Sequence, residues 1–141
     1  MLRKFAILSV TLITLAGLSF AADDDETPTG KIMEQIQNKT NALRKATRTK
    51  ADFAKSTKVI TTDTEAVVKL AKEAREIKEP AEKEKKPLAA YQKLMDDMIK
   101  SAEDLSKLAN KSGSTQIQAK EAFTAYTKTC AACHEVFKKD E

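Results

Sequence analysis

The sequence predicts an all-α protein, an antiparallel four-helix bundle, and three observations predict it. Of 141 residues only 3 are Gly and 3 are Pro, so the turn formers that a many-stranded sheet needs are scarce. The chain is rich in Lys, Glu, Ala and Leu, which favour helices. Apolar residues also recur at spacings of three and four in four separate stretches, divided by short breaks. A coiled-coil hairpin would not need three unequal interruptions, and the length fits one domain.

Taken in order, Ile32, Met33, Ile36, Thr40, Leu43 and Thr47 form the first stripe and place a helix over 30–50. Residues 51–61 read ambiguously, because hydroxyl and β-branched residues crowd around Phe53, Val59 and Ile60; they either continue the helix or form a packed loop. Thr62-Asp63-Thr64-Glu65 has the composition of a helix start, with Thr62 and Glu65 spaced as a capping box. Val67, Leu70, Ala74 and Ile77 then line a second helix that ends before Pro80. Residues 79–87 form a charged connection bounded by two prolines, and Pro87 suits the first turn of a third helix. That helix has the cleanest pattern, with Leu88, Tyr91, Met95, Met98, Ala102, Leu105 and Ala109 at heptad spacing. It stops near Ser112-Gly113, and Ser114 is placed to cap a fourth helix carrying Phe123, Tyr126, Cys130, Cys133 and Phe137.

The N-terminus has the pattern of an export signal. Arg3 and Lys4 precede an uncharged run from Phe5 to Phe20, and Ser19 and Ala21 put small residues where a signal peptidase cuts. The run of 16 residues falls short of the ~20 needed to span a bilayer. The sequence therefore divides into a signal peptide at 1–21, an acidic disordered lead-in at 22–29, and a helical domain at 30–141. The mature protein is expected to be periplasmic, with no membrane attachment after cleavage. Lys and Arg number 25 against 21 Asp and Glu; removing Arg3 and Lys4 leaves 23 against 21, mixed along the chain, which gives no case for nucleic acid. Aromatic residues make up 5% and Trp is absent, so the core rests on aliphatic side chains or on an apolar group that is not an amino acid.

Cys130-Ala131-Ala132-Cys133-His134 is the attachment pattern for c-type haem. Two thiols add across the two vinyl groups of the porphyrin and become thioethers. On a helix, positions 130, 133 and 134 share one face, so the imidazole of His134 can reach the iron while the thioethers hold the ring edge. The chain has no other Cys or His, and export would deliver it where such attachment is completed. A redox dithiol is the weaker reading, since exchanging cysteines sit at helix starts, and a zinc site needs four ligands where three exist.

The residues after the motif, Glu135-Val136-Phe137-Lys138, follow the histidine with an aromatic three positions on and a basic residue next. In this the chain resembles the cytochrome c-prime family, in the last dozen residues and the first helix, and in overall architecture. The resemblance implies a four-helix bundle with one covalent haem on its C-terminal helix, and dimers through the first two helices. Low-spin members use a methionine on the first helix as second iron ligand, and Lys31-Ile32-Met33 resembles that segment. Bundle geometry points the same way: the start of the first helix and the end of the fourth lie at one end, which levels Met33 with His134. Met95 and Met98 lie deeper and read as core. Tyr91 and Leu88 stand near the expected haem level, as do Leu70, Ala74 and Ile77. Lys138, Lys31 and Arg75 are candidates to meet the haem carboxylates.

The expected function is single-electron transfer between redox partner proteins, with His134 and Met33 on the iron and no enzymatic turnover. The alternative is a five-coordinate form, with Met33 merely core and an open site for a gas such as nitric oxide. A third reading is a cofactor-free interaction bundle whose cysteines pair.

Overall fold

The computed structural model describes residues 27–138; the expected signal peptide and its cleavage site lie outside the described residues. Among the described residues there are five helices and no strands: α1 (Pro28–Ala46), α2 (Lys50–Arg75), α3 (Glu79–Lys83), α4 (Leu88–Asn110) and α5 (Gln116–Phe137).

α1 starts two residues before its apolar stripe suggests. The Thr27 hydroxyl accepts a hydrogen bond from the Gly30 amide, and Pro28 stands at the first helical position, where its missing N–H costs nothing. Thr49 caps α2 in the same way through the Asp52 amide. The ambiguity at 51–61 resolves as helix: α2 runs unbroken, so Thr62 lies inside it and is no cap. What holds it is a seven-residue recurrence of Phe53, Ile60, Val67 and Ala74, with Thr64 and Ala71 between, all buried. The threonines are tolerated because their hydroxyls turn back onto the helix. Thr61 donates to the Thr57 carbonyl at 3.1 Å, and Thr64 to the Ile60 carbonyl at 2.7 Å.

The charged connection after α2 holds a helical turn of its own. α3 buries Pro80 and Ala81 and half-buries Glu79, while Glu82 and Lys83 are exposed, so residues 79–87 are not merely a solvated loop. α4 buries Tyr91, Met95, Met98, Ala102, Leu105 and Ala109, the stripe its sequence predicts, with Leu88 half-buried. It ends at Asn110, and the turn that follows passes through a left-handed Gly113 (φ 80°), a conformation that disfavours any side chain. Thr115, not Ser114, caps α5, in a reciprocal box with Gln118, while the Ser114 hydroxyl closes the end of α4 on the Leu108 carbonyl at 2.7 Å.

α1 packs on α2, α2 on α4, and α4 on α5. Thr61 in the first half of α2 bonds to Asn110 at the end of α4, and Arg75 at the end of α2 pairs with Asp96 in the first half of α4. Those two helices are therefore antiparallel. Leu43, Ile60, Val67, Met95 and Leu105 are fully buried between the helices; each such side chain contributes roughly 1.5–3 kcal/mol on leaving water. α1 and α5 meet at one end, where the Gln116 side chain donates to the carbonyls of Thr47 and Arg48 at 2.8 and 3.1 Å. At the other end a cavity lies between them. Among the described residues no helix is long and apolar enough to cross a membrane.

Candidate functional site

The face of α5 that carries Tyr126, Cys130, Cys133 and Phe137 is set by three- and four-residue spacing, so the helix itself brings the thiols to one side. Cys133 is buried, Cys130 half-buried, and His134 stands exposed at the rim. All three line a cavity of about 290 Å³, at the lower edge of the ~300–1,000 Å³ usual for small-ligand sites. α1 supplies the facing wall with Met33, Ile36 and Thr40, and α4 supplies Tyr91, Met95 and Met98. Pro80 and Lys83 bring α3 to the mouth, where Glu79 accepts a hydrogen bond from Thr29 of α1 at 3.0 Å.

Met33, Tyr91, Cys130, Cys133, His134, Phe137 and Lys138, the residues singled out from the sequence, line this one cavity. Arg75 does not, and neither do Lys31, Leu70, Ala74, Ile77 and Leu88, which were expected near the same level; Arg75 lies on the outer surface between Asp96 and Glu76, at 2.7 and 2.9 Å, and those carboxylates raise its pKa. Met95 and Met98 are buried as expected, but both also face the cavity. Sequence reasoning missed Thr29, Glu79 and Pro80. The one signal was a proline inside a charged stretch, a residue that gains little from being in solvent.

Burial pushes the thiol pKa values up, that of Cys133 to about 11, with Cys130 as a lesser cause. Both cysteines sit in the C-terminal half of a helix among apolar neighbours and are free of each other as a disulfide. The thiols of exchange enzymes are held low at helix N-termini, which is the opposite environment. Among the described residues no three His, Cys, Asp or Glu side chains gather as a metal group.

Tyr91 carries the other notable polar group. Its ring meets Phe137 edge-on, with centroids 5.4 Å apart and planes at 75°. Burial, then the neighbouring Cys133 and Glu79, raise its pKa, so the phenol stays protonated. Its Oη has no hydrogen-bond partner among the described residues.

No family model, curated protein or solved structure matches the chain. Two sulfurs and an imidazole stand on one helix, and a thioether stands on the helix across the cavity.

Proposed function

We propose that the protein is an exported monohaem c-type cytochrome of the cytochrome c-prime kind. It is read as an antiparallel four-helix bundle that holds one haem on its C-terminal helix and passes single electrons between partner proteins in the periplasm. The observation that carries this reading is that Cys130, Cys133 and His134 of α5 share a cavity with Met33 of α1.

The residues present suit the group. Two thiols one helical turn apart, with an imidazole directly after, are the donor set for covalent haem attachment. A thioether is a suitable soft second ligand, and a His/Met pair raises the reduction potential. Ile36, Met95, Met98 and Phe137 give the cavity apolar walls, and the Tyr91 hydroxyl offers a hydrogen bond that nothing among the described residues accepts. Haem bound here would supply a one-electron ferric/ferrous couple. Cys130 and Cys133 would tether it, so that a small core need not retain it by packing alone. His134 and Met33 would bind the metal from opposite walls. The buried α4 wall of Tyr91, Met95 and Met98 excludes water from the interior side. In this role nothing is consumed, and the protein is a carrier rather than an enzyme.

The test is the intact mass and optical spectrum of the natively exported protein. The expected result is one added porphyrin and a low-spin spectrum with a weak sulfur-to-iron charge-transfer band. A high-spin ferric spectrum would replace the carrier with the gas-binding alternative. A bare polypeptide mass would remove the haem reading altogether.

A further inference from the structure

The other buried hydroxyls among the described residues have internal partners. Thr40, Thr47 and Thr64 donate to carbonyls one turn back, and Tyr126 bonds to Thr40. Tyr91 is as deeply buried, at 1% exposure, yet its Oη is the one buried side-chain nitrogen or oxygen without a partner among the described residues. Native proteins rarely leave such a donor empty without a use.

The surroundings narrow what the acceptor is. The Phe137 ring packs against that of Tyr91, so the phenol is held on the cavity wall. The nearby carboxylate of Glu79 accepts from Thr29 and not from the phenol. The sulfur of Cys133 would be a thioether in the loaded protein, and a thioether is a weak acceptor. Lys83 of the adjoining α3, and Lys138, the residue after Phe137, line the same cavity. Glu34 and Glu79 line the cavity too, so it is the unfilled phenol donor that calls for an anionic oxygen, with which hydrogen bonds are short and strong, and Lys83 and Lys138 are there to offset the charge it brings.

We infer that the Tyr91 hydroxyl donates a hydrogen bond to a carboxylate side chain of the bound porphyrin, in a cavity edged by Lys83 and Lys138. This rests on the haem reading above and adds a positioning residue to it. By sharing its proton with that carboxylate, Tyr91 draws negative charge away from the iron and raises the potential.

The experiment is Tyr91→Phe in the exported holoprotein, read by intact mass, spectrum and spectroelectrochemical potential. The expected result is a full porphyrin mass, an unchanged ligation spectrum and a lower potential. Tyr126→Phe, at a buried tyrosine whose acceptor is internal, should leave the potential at the wild-type value. An unchanged potential in Tyr91→Phe would overturn the inference, as would an equal shift in both variants. An unchanged potential with faster carbon monoxide release from the ferrous protein would assign the hydroxyl to an iron-bound gas instead. A wild-type chain exported without porphyrin mass would sink the haem reading itself, and would be seen before any potential is measured.

Discussion

Tyr126 of α5 and Thr40 of α1 share a buried hydrogen bond of 2.8 Å, and Tyr126 is its donor. The Thr40 hydroxyl has a single proton, which goes to the Ile36 carbonyl at 2.8 Å, so it can only accept from the phenol. Thr40 also lines the cavity, so this bond joins α1 to α5 where the gap between them begins. Thr40→Val strands the Tyr126 hydroxyl and should cost about 1–3 kcal/mol. Tyr126→Phe removes one neutral bond but leaves Thr40 satisfied by Ile36, and should cost about 0.5–1.5 kcal/mol. Urea unfolding of the two variants measures the order; equal or reversed losses would show that the bond does not join the helices as described.

Three methionines line the cavity, and they are not equivalent. Met33 is half-buried on the wall opposite α5, whereas Met95 and Met98 are enclosed in the α4 seam. Met33→Ala in the exported protein should convert a low-spin spectrum to high-spin and lower the potential by on the order of 100 mV, a fraction of the ~0.8 V that axial ligands span. Met95→Leu and Met98→Leu should leave the protein low-spin, with unfolding costs below about 1.5 kcal/mol each. A low-spin Met33→Ala spectrum would take Met33 off the iron.

The two thiols should contribute separately to cofactor retention. With Cys130→Ala or Cys133→Ala one thioether remains, and haem should stay with the chain through acid extraction. With both replaced, haem should extract even though His134 and Met33 are intact. Cys133, the more deeply buried, should also cost more stability as Ala than Cys130 does. Intact mass after extraction checks the first point and thermal unfolding the second. Haem that remains on the double variant would mean attachment elsewhere.

How much of this was legible depended on which force set each feature. The α4 stripe was readable because its apolar residues keep heptad spacing through the whole helix, from Tyr91 to Ala109. The residues that share the cavity were readable too, because spacing on α5 and the level of Met33 on α1 are both consequences of helical geometry. The first half of α2 was not. There and just beyond, Thr57, Thr61 and Thr64 mask the Phe53–Ile60–Val67 recurrence, and Thr61 and Thr64 are accommodated by hydroxyl bonds to backbone that a propensity scale does not see. α3 was missed because five residues are too few to show a period, though it buries Pro80 and Ala81 and brings Glu79 and Lys83 to the cavity. Arg75 was misplaced because the carboxylate that holds it, Asp96, is 21 residues away on another helix.

Helix caps show the same division and can be measured. Composition nominated Thr62 and Ser114; the structure assigns that work to Thr49 and Thr115. Thr115 accepts from the Gln118 amide at 3.3 Å while the Gln118 side chain accepts from the Thr115 amide at 3.0 Å, so two otherwise unpaired donors at the start of α5 are satisfied together. Thr115→Ala should therefore cost about 1 kcal/mol. Thr62 is exposed in the middle of α2, where alanine is the better helix former, so Thr62→Ala should be neutral or stabilise by a few tenths of a kcal/mol. The two substitutions are chemically identical and both remove a threonine ahead of an amphipathic stripe. A loss of about 1 kcal/mol in Thr62→Ala would mean that α2 is broken there after all, and that Phe53 and Ile60 belong to a loop rather than to the helix that packs against α1 and α4.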